Sequence, residues 1–291
     1  MNLVKLCWPL LWLGLVHAAW AGDRLLGTGG VSSIEGAGGG GLVPWATITG
    51  TGSANQIGGV AFATRVQMPS RYRLDVVGAA VGLYDRVELS AATWTFDLAD
   101  TVPGKSVEMK VLGGKLKLIG DAVYDQDRWW PQVSVGAQYK QNEDGKLVRS
   151  LGARSSHGWD LYATATKVWL GAAAGRNVLA TVATRYTNAN QFGLVGFGGP
   201  DHAAHVLKLE ASLGLMLRDD LVLGTEFRDR PNLLVTSDVA TAGLRETSAQ
   251  DVFLAWFPCT GGSITAAWVD LGNVVTKASQ RGWYLSGQWN F

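Results

Sequence analysis

Trp283-Tyr284-Leu285-Ser286-Gly287-Gln288-Trp289-Asn290-Phe291 is the stretch from which the rest of the sequence is read. Counting back from Phe291, one face carries Trp289, Gly287, Leu285 and Trp283. The other carries Asn290, Gln288, Ser286 and Tyr284. Successive side chains on a strand point to opposite faces, so a period of two gathers large apolar groups on one side and hydrogen-bonding groups on the other.

The same period runs through the chain from about residue 57. In 132–140, Val133, Val135, Ala137 and Tyr139 oppose Gln132, Ser134, Gly136, Gln138 and Lys140. In 207–217 the leucines at 207, 209, 213, 215 and 217 oppose Lys208, Glu210 and Ser212, and 221–230 sets Leu221, Leu223 and Phe227 against Glu226, Arg228 and Arg230. Helical spacing would scatter these charges, whereas alternation collects them on one side. Further strands are expected at 60–67, 72–83, 86–96, 107–119, 159–170, 177–187, 251–257 and 263–271, with a hairpin turn at Tyr84-Asp85. Within 107–119, Met109 and Val111 share one parity while Leu116 and Leu118 share the other. A β-bulge at Gly113-Gly114 is the expected repair.

Length and composition narrow the class. Hydrophobic residues make up 47% of the 291 positions, yet no apolar run after the first twenty-odd residues approaches the roughly 20 needed for a spanning helix. At the start, Lys5, the apolar stretch 6–16 and Ala19-Trp20-Ala21 read as a signal peptide cleaved after Ala21. The processed chain then keeps Cys259 and not Cys7, leaving neither an intramolecular disulfide nor a cysteine-based metal site. It keeps 24 of the 25 basic residues against 24 acidic ones, a balance that offers nucleic acid no basic face. Residues 22–56 are rich in glycine, including Gly38-Gly39-Gly40-Gly41. A phosphate-binding loop would need a strand before it and a helix after it, and neither pattern is present. This segment is expected to be a lead-in to the strand-rich region or a partial plug of it.

The architecture expected for 57–291 is an all-β antiparallel transmembrane β-barrel of about 12 strands, between 10 and 14. In hydrocarbon every backbone donor and acceptor must be paired, so only helices and closed barrels span. Runs of roughly 9–11 residues suffice for a tilted strand. Aromatic residues near strand ends (Tyr72, Tyr84, Tyr139, Trp159, Trp169, Tyr186, Trp256 and Trp283) suit interfacial girdles. The final strand resembles the signal read by the outer-membrane barrel assembly machinery, with Trp289 and Phe291 as its aromatic members. It departs from that signal in having Ser286 where glycine is usual.

Several segments resemble one bacterial family, domain of unknown function 3034. They are Tyr124-Asp125-Gln126-Asp127 with Pro131-Gln132, the stretch 188–199, Ala255-Trp256-Phe257-Pro258, and Gln280-Arg281-Gly282-Trp283-Tyr284-Leu285-Ser286. The resemblance covers most of the chain after the signal and implies a proteobacterial envelope protein of barrel type. It brings no reaction, ligand or catalytic residue.

Three functions are compatible with these features. The first is a porin-like channel for small solutes in the cell outer membrane. Its lumen would be lined by Arg65, Arg73, Asp75, Arg86, Glu88, Lys115, Lys117, Arg185, Lys208, Glu210, Glu226 and Arg228, whose mixed charges can set selectivity. The second is a structural or adhesive barrel with a closed lumen. The third is a barrel enzyme acting on lipid, which would need a nucleophile with a base in reach; Ser155-Ser156-His157 lies in a loop, and His202 and His205 have no further ligands in view. No cofactor or metal is expected. The stretch 190–200, glycine-rich yet holding Phe192, Leu194, Val195 and Phe197, reads either as an inward-folded constriction or as a kinked spanning strand.

Overall fold

The structure is a computed structural model that describes residues 26–99, 101–235, 244–275 and 277–291. The expected signal peptide, 1–21, lies outside the described residues. Twelve antiparallel strands close into a barrel: β3 (Ile57–Gln67), β4 (Arg73–Leu83), β5 (Val87–Asp97), β6 (Ser106–Ile119), β7 (Gln132–Asn142), β8 (His157–Ala173), β9 (Arg176–Thr187), β10 (Val206–Arg218), β11 (Leu221–Arg228), β12 (Ala249–Cys259), β13 (Gly262–Asp270) and β14 (Arg281–Asn290). Two short strands, β1 (Val31–Ser32) and β2 (Gly38–Gly39), pair with each other ahead of it.

Each wall strand pairs with its sequence neighbours, and β14 pairs with β3 from Trp283↔Gln67 to Asn290↔Val60. The seam ends in reciprocal bonds. Gly59 N donates to Phe291 O at 2.6 Å, and Phe291 N donates to Gly59 O at 2.9 Å. An up-and-down barrel closes with antiparallel neighbours only when its strand number is even, and closure removes the unpaired edge of an open sheet. No helix among the described residues is long and apolar enough to cross a membrane.

The two ends differ. At the proximal end, which holds the start of β3 and Phe291, most connections are tight. Tyr84 and Asp85, with φ of 55° and 49°, are the central residues of the expected hairpin turn, closed by Arg86 N donating to Leu83 O. Both central residues of such a turn must be left-handed to match the strand twist. At the distal end the connections are long, including 143–156, which holds the helix α1 (Gly145–Ser150), 188–205 and 229–248.

The outer wall is a belt of exposed apolar residues, among them Leu89, Leu112, Leu161, Val182, Leu213, Leu254, Ile264 and Leu285. Trp159, Trp169, Trp256, Trp268, Trp283 and Trp289 stand exposed toward strand ends. The interior is filled by the chain itself. Every residue from 30 to 50 is buried. This inner segment enters beside Phe257 at the proximal end, turns back through the β1–β2 pair, and returns along Gly58 and Gly59 into β3. Its Val31, Ile34, Leu42, Val43 and Trp45 pack with Phe62, Val66, Val76 and Trp94 of the wall.

The filled interior overturns one expectation. β6 carries no bulge at Gly113-Gly114: pairing runs in register through both glycines, and the shift lies between Lys117 and Ile119. Met109 and Val111 point inward and are buried, while Leu112, Leu116 and Leu118 point out. Parity is constant because the interior has its own apolar core to receive the first pair.

Gly82 shows how closely the inner segment lies on the wall. A Cβ there would sit 2.4 Å from the carbonyl oxygen of Thr49. The Gly82→Val variant is therefore expected to displace the inner segment and cost about 1–3 kcal/mol of stability, as overpacked sites do, measured by urea titration of the folded barrel.

Candidate functional site

The interior is organised by side chains that reach from the wall to the inner segment. Two carboxylates grip its backbone. Glu88 accepts from Gly38 N and Thr49 N, both at 2.9 Å. Glu226 accepts from Leu42 N at 2.7 Å and Val43 N at 3.2 Å. Lys115 pairs with Glu88 at 2.9 Å and donates to the carbonyls of Gly38 and Trp45. Near the proximal end, Gln132 and Ser134 both donate to Ala46 O, and Thr166 accepts from Ala46 N at 2.8 Å. A loop without regular structure can be buried because wall side chains satisfy its backbone polar groups.

Toward the distal end lies a belt of charge. Five consecutive strands each contribute one group: Lys140 on β7, Asp160 on β8, Arg185 on β9, Glu210 on β10 and Arg228 on β11. Signs alternate around the wall. Lys140 Nζ lies 2.6 Å from Asp160, which lies 3.4 Å from Arg185 Nη1. Glu210 Oε1 is 2.5 Å from Arg185 Nε and 3.1 Å from Arg228 Nε. The sixth member comes from the inner segment. Glu35 binds Arg228 through both oxygens, at 2.7 and 3.0 Å, pairs with Lys140, and stands 3.6 Å from Arg185 Nη2. All six are at most 3% exposed. Three acids then face three bases.

Above this belt sits the loop 188–205, with 190–198 buried. It is an inward-folded connection between β9 and β10, not a spanning strand. Gln191 and Phe192 hold positive φ of 45° and 66°, a costly choice for residues other than glycine. The surrounding contacts hold them there. Gln191 Oε1 accepts from Val275 N at 2.7 Å, and the Phe192 ring lies 4.6 Å from the Arg228 guanidinium and 5.4 Å from that of Arg230. Gln191 N donates to Glu246 at 2.9 Å. Burial pushes the Glu246 carboxyl up to about 7, against the pull of Arg230 3.7 Å away.

The twelve lumen candidates divide. Glu88, Lys115, Arg185, Glu210, Glu226 and Arg228 are buried inside. Lys117 and Lys208 are half-buried at opposite ends, paired with Asp85 and Asp229. Arg65, Arg73 and Asp75 do not line the lumen. They stand on the outer wall as an ion-pair strip, Asp75 lying 2.6 Å from Arg65 Nε and 3.0 Å from Arg73 Nε. The inward parity of β3 and β4 belongs to Val60, Phe62, Val66, Leu74 and Val76, which pack on the inner segment and leave the charges facing out. Arg86 is exposed in the proximal turn that begins at Tyr84. Lys140, Asp160 and Glu35 are not among the candidates. The alternation of 132–140 already puts Lys140 on the polar face, but nothing in the glycine-rich segment marks Glu35.

Elsewhere, the Ser155 hydroxyl donates to the main-chain oxygen of His157 rather than to its ring. His205 stacks on Trp159 at 4.0 Å. Among the described residues no group of three or more His, Cys, Asp or Glu side chains is placed to hold a metal ion.

Two outcomes are expected. Arg185→Met leaves Asp160, Glu210 and Glu35 under-compensated and should cost about 3–5 kcal/mol in urea titration, the usual loss when one partner of a buried ion cluster is removed. For Glu246, the folded state favours the protonated acid over its ordinary value of 4.5. The contribution is present at low pH and is lost as pH rises through about 7. Hydrogen-exchange protection of the Gln191 amide should fall between about pH 4.5 and 7 after correction for intrinsic exchange, and Glu246→Gln should remove that step.

Among solved structures, the chain is similar in outline to the KdgM porin (8% identity, TM-score 0.49, covering 80% of this chain and 99% of that one). It is also similar to the outer membrane protein Omp33 of Acinetobacter baumannii (10% identity, TM-score 0.46, 82% and 100%). A third is the outer membrane phospholipase OMPLA of Salmonella typhi (10% identity, TM-score 0.41, 84% and 91%). At these levels none of them bears on function. No curated protein matches the sequence. The family described as "Protein of unknown function (DUF3034)" matches residues 28–288, from within the glycine-rich segment almost to the last residue, and the chain belongs to that family.

Proposed function

We propose that this chain is an outer-membrane β-barrel channel for small solutes, here in a closed state with its own residues 30–50 filling the lumen. The observation that carries the reading is the opposition of the two walls. Outside, apolar side chains form a belt flanked by aromatic residues, the surface that hydrocarbon and its interfaces select. Inside, five strands in a row present buried, paired charges, kept from the hydrocarbon that would penalise them. Short turns at the proximal end correspond to the periplasmic side of such barrels and long distal loops to the outer side. Outer-membrane lipid is then the partner of the belt, and the final strand with Trp289 and Phe291 is the signal for the barrel assembly machinery.

The inner segment can open this lumen without passing through it. It enters and leaves at the same end, so withdrawal needs no threading. A second reading, a permanently closed structural barrel, is favoured by how fully the inner segment satisfies the wall. In planar bilayers the full processed chain is expected to show long closed periods broken by ion-conducting openings. Glu226→Gln, which sets an amide N–H2 against the main-chain donors of Leu42 and Val43, should raise the open fraction several-fold. A correctly folded protein that never conducts in either form overturns the channel and leaves the structural barrel.

A further inference from the structure

The five charged groups that the wall places around Glu35 do not balance among themselves. Lys140, Arg185 and Arg228 carry three positive charges, and Asp160 and Glu210 carry two negative ones, all at most 3% exposed. Without Glu35 this belt would hold three bases against two acids in a buried place. With it, the carboxylate is received by a bidentate guanidinium, an ammonium and a second guanidinium. That is the donor set proteins use to recognise carboxylates.

The receiving groups do not depend on Glu35 for their positions. Asp160 holds Lys140, Glu210 spans Arg185 and Arg228, and Gln138 accepts from Arg185 Nη1 at 2.8 Å. Each projects from a strand of the closed wall, and the face of Arg185 is backed by Tyr162, its guanidinium 5.0 Å from the ring. Glu35, in contrast, sits near the turn of a segment that has no fixed place in the wall. The next residue, Gly36, with φ of 94°, turns the chain back immediately. The wall supplies the site and the inner segment supplies the occupant.

We propose that Lys140, Arg185 and Arg228 form a carboxylate-binding site in the barrel wall, occupied in this state by Glu35 as a tethered ligand. Resting on the channel reading, the solutes admitted when the inner segment withdraws are small carboxylates. The count within the belt favours a monoanion: one negative charge balances its three bases against its two wall acids, and a phosphate dianion would exceed it. A planar two-oxygen group also matches the fork of Arg228 better than a tetrahedral one. The site is covered distally by Phe192 on Arg228, so a solute arriving from that side meets the 188–205 loop first.

The test is chemical rescue in the full chain. Glu35→Ala removes the carboxylate and leaves a space of about its size, while Glu35→Gln fills the same space with a neutral amide. Thermal unfolding of each variant is followed in potassium acetate and in potassium chloride at equal ionic strength. Glu35→Ala is expected to melt below the parent protein and to recover a saturable part of the loss in acetate but not in chloride. Glu35→Gln should not respond, and adding Arg228→Met to Glu35→Ala should abolish the response. An equal effect of chloride, a response in Glu35→Gln, or no response at all overturns the site. If Glu35→Ala folds only with salt present, refolded yield is compared instead, and a yield no better in acetate than in chloride overturns it equally.

Reversal potentials across a potassium acetate gradient then read the solute class in the Glu226→Gln channel, where cation preference overturns that assignment. Rescue without any channel openings retains the site and removes the transport reading. Openings without rescue retain the channel and remove the carboxylate.

Discussion

A single carboxylate from a stretch of chain outside the wall completes a belt of charge to which five wall strands each contribute one group. Around Glu35 the barrel presents alternating signs from β7 to β11, and the alternation begins and ends on a cation. An odd number of alternating charges cannot be neutral. A buried excess charge is expensive, because desolvation of each ion costs several kcal/mol that only close pairing recovers. The inner segment therefore does more than fill space: its Glu35 supplies the charge that the strands leave out. The same segment makes the other contacts of the interior. Gly38 and Thr49 donate to Glu88, Leu42 and Val43 donate to Glu226, and Ile34 O meets the indole N–H of Trp94 at 2.6 Å.

Filling the lumen also changes what each wall face is for. An empty barrel in lipid would be apolar outside and polar inside on every strand. Here the side of the barrel formed by β3 to β6 turns Phe62, Val66, Val76, Trp94 and Phe96 inward to meet the inner segment. Across from it, β7 to β11 turn charges inward. The interior is a half-apolar, half-ionic core, more like that of a soluble protein cut open and lined up against its own N-terminal chain. The Arg65–Asp75–Arg73 strip on the outer wall belongs to the same arrangement, since its parity was left over when the apolar residues went in.

That division explains where reading from sequence succeeds. On β10 and β11, Leu207 to Leu217 and Leu221 to Phe227 are apolar on one parity and charged on the other, so alternation places Glu210, Glu226 and Arg228 inside, where they lie. On β3 and β4 both parities carry apolar residues, and charge is the wrong guide. It assigns Arg65, Arg73 and Asp75 to the lumen, although Phe62, Val66 and Leu74 fill it. Glu35 cannot be found by alternation at all. It stands beside a run of glycines with no period, and its importance comes from residues more than 100 positions away, such as Lys140 and Arg228.

The sheet is legible in the chain residue by residue. The period of two, the turn at Tyr84-Asp85 and the amphipathic strand ending in Phe291 are local properties, since each strand's two faces are written in consecutive residues. The strand number falls within the expected range, because antiparallel strands announce themselves one by one. The interior has no such local record. Whether 30–50 lies inside the barrel, which parity of β3 to β6 faces it, and how six charges from six separate segments cancel are all set by contacts between distant parts of the chain. Local pattern records how amphipathic a strand is. It does not record which of two unlike media, lipid or a folded-in segment of the same chain, each face will meet.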